Sequence, residues 1–98
     1  MADHPRGVLT LYSRQGCCLC EGLEQRLRQL DLQSLDLQLR VIDIDTQAVP
    51  AALKARYDLE VPVLSHGGHD LPRVSPRLSG EGLFNWLHHA LSKRQGGA

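Results

Sequence analysis

All three cysteines of the chain fall within four positions, in the run Cys17-Cys18-Leu19-Cys20. Cys17 and Cys20 make a C-x-x-C spacing. Two residues three apart at the start of a helix share a face, with Cα atoms about 5–6 Å apart, inside the span a disulfide bridges. The first of them sits among unpaired backbone N–H groups at the positive end of the helix dipole, which favours an anion. A thiolate there forms below the reference pKa of about 8.5. Cys17 is therefore the candidate nucleophile, and Cys20, one turn further in, the candidate resolving thiol. Arg14 would stabilise the thiolate, whereas Glu21 would help the helix and oppose it. Cys18 reads as an accessory thiol, because adjacent cysteines bridge only as a strained vicinal disulfide. Metal chemistry is the alternative use of the cluster. A structural zinc site wants four ligands, and here three crowded thiols have only His66 and His69 as distant donors. Such a set suits an Fe–S cluster shared between two chains better than a closed zinc site. No metal ligand is assigned.

The elements that would hold this cluster can be read on either side of it. Val8-Leu9-Thr10-Leu11-Tyr12 is a short β-favouring apolar run that ends at Ser13-Arg14-Gln15-Gly16, a buried strand and its loop. From Cys18 the period becomes helical, with Leu19, Leu23, Leu27 and Leu30 on one face and Glu24 four residues before Arg28. Gly22 weakens that helix by about 1 kcal/mol relative to Ala. Leu35, Leu37, Leu39 and Val41 alternate with polar residues, and Ile42-Asp43-Ile44-Asp45 then alternates in the opposite phase. One strand is expected there, with the shift marking its end or a bulge.

Thr46 is the expected N-cap of a helix over Gln47 to Tyr57, with Pro50 in its first turn. Val61 to Ser65 forms a strand, Gly67-Gly68 a tight hairpin turn, and Asp70 to Ser75 the returning strand. Pro72 confines that last strand to a sheet edge or shortens it. Ser79 caps a final helix carrying Leu83, Leu87, Ala90 and Leu91 on one face. Lys93-Arg94 lie at its C-terminal dipole end and Gly96-Gly97 stop it. The order β-α-β-α-β-β-α combines a parallel βαβ half with an antiparallel hairpin half. The ends, residues 1–6 and 95–98, are expected to fray. Phe84, Trp86 and Tyr12 read as packing residues, and His88-His89 as surface positions.

Composition sets the limits. Ninety-eight residues, 42% hydrophobic and 22% charged, fit one globular domain over 1–98 with no internal linker or repeat. Eleven Lys+Arg balance eleven Asp+Glu. With no basic run to displace counterions from phosphates, no nucleic acid is expected as partner. No apolar stretch is long enough to cross a bilayer, so no membrane is expected. Met1-Ala2-Asp3-His4-Pro5 has an acid and no apolar region, unlike a secretory signal. A tight, odd-numbered cysteine cluster without such a signal points to cytoplasmic thiol chemistry.

Tyr12-Ser13-Arg14-Gln15-Gly16-Cys17-Cys18-Leu19-Cys20 resembles the glutaredoxin signature: an aromatic, a small hydroxyl residue, a basic residue, two spacers and C-x-x-C. Glu60-Val61-Pro62 resembles the segment of that fold whose proline faces the active cysteine, and Pro76-Arg77-Leu78-Ser79 precedes the last helix as in small glutaredoxin-like proteins. The likeness spans about residues 7 to 92. It implies a thioredoxin-like, three-layer α/β/α fold with a four-stranded mixed sheet. It also implies a cis Val61-Pro62 bond, and a substrate peptide or glutathione paired to the backbone of Val61. Several positions depart from the family pattern. Cys18-Leu19 stands where Pro-Tyr is usual. Glu60 replaces a threonine and puts a carboxylate near the site, which would raise the pKa of Cys17 and repel glutathione. The glycine-rich glutathione motif is missing before the last helix, since Gly67-Gly68-His69-Asp70 falls in the hairpin. Ser75-Pro76-Arg77 stands there instead, with Arg77 available for a carboxylate. Leu11 occupies the place of the buried acid of thioredoxins.

The expectation is a dithiol-disulfide oxidoreductase, a monomer acting on protein or small-molecule disulfides. Arg14, Val61, Pro62 and Arg77 would contact its substrate. No tightly bound cofactor is expected. Glutathione would serve as reductant, and one domain's length leaves the electron donor to a separate molecule. A cluster-binding module and a non-catalytic interaction domain are the alternatives.

Overall fold

The structure is a computed structural model that describes residues 7–96, with side chains as far as Ser92. Its central element is strand β1, Val8–Ser13, whose alternate residues Leu9, Leu11 and Ser13 are buried. The β-favouring run puts one apolar edge on each face of the sheet, as period two requires. Helix α1, Cys18–Arg28, follows and buries Cys20, Leu23 and Leu27. A short 3-10 turn at Leu32–Leu35 then leads into strand β2, Gln38–Asp43. The left-handed backbone of Asp36 (φ 62°) lies between turn and strand. Leu35 thus belongs to the turn, and the shift of phase at Ile42 falls in the last residues of β2, marking its end.

Helix α2 is Ala51–Tyr57, shorter than expected. Pro50 stands at its N-cap with extended backbone (φ −59°, ψ 146°). Thr46 does not cap it; its hydroxyl donates to the carbonyl of Asp43 at 3.0 Å and closes the turn after β2. A threonine close to a strand end finds that local acceptor, and the proline then fixes where the helix starts. Strands β3, Val63–His66, and β4, His69–Asp70, form the hairpin through Gly67 and Gly68 at φ 60° and 83°. Positive φ at both turn residues is the geometry that matches the twist of paired strands. The returning strand stops after two residues, before Pro72, whose missing N–H ends the ladder.

The sheet order is β2-β1-β3-β4, with β1 parallel to β2 and antiparallel to β3. Leu9 lies opposite Leu39, and Leu11 opposite both Val41 and Leu64. These residues face Leu23 and Leu27 of α1 and Leu83 and Leu87 of α3, Gly80–Gly96, in one apolar cluster. The opposite face carries Tyr12, stacked on Tyr57 of α2 with ring centroids 4.6 Å apart. Alternation along β1 therefore puts α1 and α3 on one side of the sheet and α2 on the other. This is a thioredoxin-like three-layer α/β/α architecture. Helix α3 extends through residues 95 and 96. The expectations for residues 1–6, for 97–98 and for the side chains of Lys93 and Arg94 lie outside the described residues. Among the described residues no helix is long and apolar enough to cross a membrane.

Candidate functional site

Strand β1 delivers the chain to the cysteines through a four-residue loop, 14–17. Gly16 takes φ 80°, and Cys17 N–H donates to the carbonyl of Arg14 at 3.4 Å, so the chain turns sharply into α1. Only glycine enters that region of φ without a Cβ penalty. Cys17 is the N-cap of α1 (φ −93°, ψ 105°), and its Sγ accepts the backbone N–H of Cys20 at 3.2 Å. A sulfur in that position satisfies one of the otherwise unpaired donors of the first turn, as an N-cap oxygen would. Cys17 and Cys20 are joined as a disulfide, with Cα atoms 5.2 Å apart. Cys17 is half-buried and Cys20 is fully buried. Cys18 is exposed and free. Among the described residues no group of three or more His, Cys, Asp or Glu side chains is placed to hold a metal ion.

The Val61–Pro62 peptide bond is cis. Val61 N–H donates to the carbonyl of Tyr57 at 3.1 Å, closing the end of α2. Half of the backbone pairing expected at this residue is thus already used, and its carbonyl is what remains for a bound chain. Pro62 lines a small cavity together with Leu19, the residue between Cys18 and Cys20.

Residues 8–88 match the family model described as Glutaredoxin-like domain (DUF836). The chain belongs to this glutaredoxin-like family. It is also similar to an X-ray structure, titled as Northeast Structural Genomics target protein XcR50 from X. campestris. The two share 32% identity over 84% of this chain and 97% of that one, with a TM-score of 0.58. A comparison with curated proteins gives no match.

In this glutaredoxin-like chain the charged residues near the cysteines are arranged differently from what their sequence positions suggest. Arg14 does not reach toward a thiolate with free donors. Its Nε and Nη2 donate to the two carboxylate oxygens of Asp45, both at 3.0 Å. Nη2 also donates to Asp58 Oδ1 at 2.8 Å, and Nη1 to the Asp58 carbonyl at 3.0 Å. Four bonds take up most of a guanidinium's five N–H groups. Arg14 therefore ties the loop before Cys17 to the β2–α2 connection and to the end of α2, which makes it a positioning residue. Glu60 is not an isolated carboxylate, because Arg73 pairs with it at 2.9 Å. That partner offsets the repulsion expected from Glu60 alone. Arg77 is exposed, and among the described residues its guanidinium has no partner; only its backbone N–H is engaged, by Ser75 Oγ at 3.2 Å. Asp70 of the hairpin serves the fold, accepting from the Tyr57 hydroxyl at 2.7 Å and from Arg56 at 3.1 Å. Burial, together with that bond to Asp70, pushes the Tyr57 hydroxyl up to about 12.

The Arg14 hydrogen bonds, with Lys54 adding to them, lower the Asp45 carboxyl from its ordinary 3.8 to about 2. A depressed folded-state pKa contributes stability above the unfolded value, and that contribution disappears as pH falls through the folded one. The loop tether should accordingly weaken as pH drops from 3.8 toward 2. Urea midpoints compared across that interval should fall more steeply for the wild type than for Asp45→Asn. Parallel curves would show that the tether adds nothing.

Proposed function

We propose that the protein is a thiol-disulfide oxidoreductase in which Cys17 is the nucleophile and Cys20 the resolving thiol. The observation that carries this reading is the Cys17–Cys20 disulfide across the first turn of α1, with Cys17 at the N-cap and Cys20 fully buried. The reduced Cys17 would share the helix N-terminus, where backbone N–H groups and the dipole favour a thiolate. That thiolate attacks one sulfur of a substrate disulfide, and the other sulfur leaves as a thiolate that takes a proton. Cys20 loses its proton and attacks Cys17 in the mixed disulfide, releasing the second substrate thiol. Two protein thiols become one disulfide while one substrate disulfide becomes two thiols, so two electrons pass in the balance. Leu11, fully buried, supplies no carboxylate for the Cys20 proton, which passes to water or to another group.

The Val61 carbonyl and Pro62 would orient the substrate. Protein or small-molecule disulfides are the substrates of this reading, glutathione or another thiol is the donor that recharges the pair, and the reducing cytoplasm is the compartment it fits. Equilibration in thiol-disulfide buffers, followed by acid quench, alkylation and mass spectrometry, tests the assignment. A single two-electron transition on Cys17 and Cys20, with Cys18 alkylated throughout, is expected. A pair that never oxidises reversibly, or one that includes Cys18, would overturn it.

A further inference from the structure

The segment before the cis bond, residues 58–61, stands outside the sheet ladder. Strand β3 begins only after the proline, where Val63 lies opposite Tyr12. Upstream of it, the N–H groups of Glu60 and Val61 both donate to the Tyr57 carbonyl, at 2.9 and 3.1 Å, so the segment is folded onto the last residue of α2. Leu59 is 88% exposed, so little packing holds the segment there. Val61 therefore follows the end of α2. Two contacts fix that end to the chain just before Cys17. Tyr57 stacks on Tyr12, and Asp58, the next residue, accepts from Arg14 twice, through Oδ1 at 2.8 Å and through its carbonyl at 3.0 Å. From this juxtaposition we infer that Asp58 and Asp45 are positioning residues, which through Arg14 set the Val61 carbonyl in register with Cys17. The inference rests on the oxidoreductase reading and names what holds the two halves of its site together.

The network is built as a brace more than as a source of field. Asp45 takes Nε and Nη2 of Arg14 on its two oxygens, a bidentate geometry that fixes direction as well as distance. Lys54 of α2 holds the same carboxylate at 3.1 Å. Two cations thus face two carboxylates, and the balanced set leaves little net charge to act on a thiolate. Asp58 is the C-cap of α2, where a carboxylate opposes the helix dipole and Arg14 offsets that cost. Exposed ion pairs add little to global stability, so the main consequence of these bonds is local geometry. There a misplacement of about 1 Å costs on the order of a hundredfold in rate. The Arg73–Glu60 pair fastens the same segment to the chain after β4, not to the loop before Cys17.

The test measures two rates on Cys17 of the reduced full-length protein. Alkylation by iodoacetamide needs only a thiolate, whereas a mercaptoethanol mixed disulfide of a short peptide must also be oriented. Both are followed by acid quench and mass spectrometry, with fragment ions separating Cys17 from Cys18. The readout is the disulfide rate divided by the alkylation rate. Arg14→Lys keeps the charge but loses the planar fork, and the ratio should fall about tenfold, within the span misplacement allows. Asp58→Ala removes one exposed acceptor and should lower the ratio severalfold. Asp58→Asn removes the same charge but keeps an oxygen for Nη2, and should restore most of the wild-type ratio. A ratio unchanged in Arg14→Lys or in Asp58→Ala would overturn the inference and leave the oxidoreductase reading intact. So would an equal fall in Asp58→Asn and Asp58→Ala, which is the signature of charge rather than position. A wild type that is alkylated on Cys17 yet reacts with no disulfide would overturn both.

Discussion

Cys17→Ser should lose disulfide reduction by roughly a thousandfold or more, the scale on which removal of a nucleophile acts. The loss follows from position as much as from chemistry. Cys17 is the N-cap of α1, half-exposed and bonded through its sulfur to the N–H of Cys20. A serine oxygen would keep the cap, since serine is among the preferred N-cap residues. The variant should therefore fold as well as the wild type and fail only in chemistry, which separates the nucleophile from a structural cysteine. Cys18 lies one residue further on, exposed and unbridged, and Cys18→Ser should leave the reaction running. Reduction assayed on a chromogenic disulfide under steady supply of a dithiol measures all three proteins. Retention of activity in Cys17→Ser would sink the mechanism.

The second large effect concerns the strand that presents the site. Leu11→Ala should cost about 2–5 kcal/mol, the range for truncating a fully buried leucine that leaves a cavity. Leu11 lies on the central strand, opposite Val41 on one side and Leu64 on the other, and it is fully buried. It therefore belongs to the apolar cluster in which the sheet meets α1 and α3. For a domain of this size the loss corresponds to a fall in melting temperature of roughly 10–30 °C. Chemical denaturation of the reduced and oxidised forms should show the same loss in both. A change under about 0.5 kcal/mol, the scale of an ordinary surface substitution, would mean that the core cluster does not include this position as described.

What the chain displays locally is what could be read from it. The alternation of Leu9 and Leu11, the Leu23–Leu27 face and the Gly67-Gly68 turn each carry their own periodicity or backbone preference. They locate β1, α1 and the hairpin without any knowledge of their neighbours, whereas the sheet order β2-β1-β3-β4 is set by pairings the sequence does not display. The C-x-x-C carried its placement as well, because the strand-loop-helix boundary around Gly16 is written in adjacent residues. The start of α2 is not legible because Thr46 has two acceptable uses, and the nearer one, the Asp43 carbonyl, prevails. The partners of charged residues were not legible at all. Arg14 meets Asp45 and Asp58 from 31 and 44 residues away, and Glu60 meets Arg73 across 13. A sequence shows a charge but not the fold that brings its counterion, so Arg14 read as a thiolate partner when it is a tether. The spent N–H of Val61 was hidden for the same reason. Its acceptor is the carbonyl of Tyr57, the last residue of α2, whose ring stacks on Tyr12.

The central claim is that Cys17 attacks the substrate disulfide and Cys20 resolves the mixed disulfide, so that two electrons pass from the protein dithiol to the substrate. Intact-mass and peptide mapping of reduced Cys20→Ser, mixed with a model peptide disulfide and quenched in acid, addresses it in one step. With no resolving thiol, the mixed disulfide should accumulate as one stoichiometric adduct, and the mapped peptide should place it on Cys17. An adduct on Cys18, or a variant that turns over the disulfide as fast as the wild type, would contradict the account.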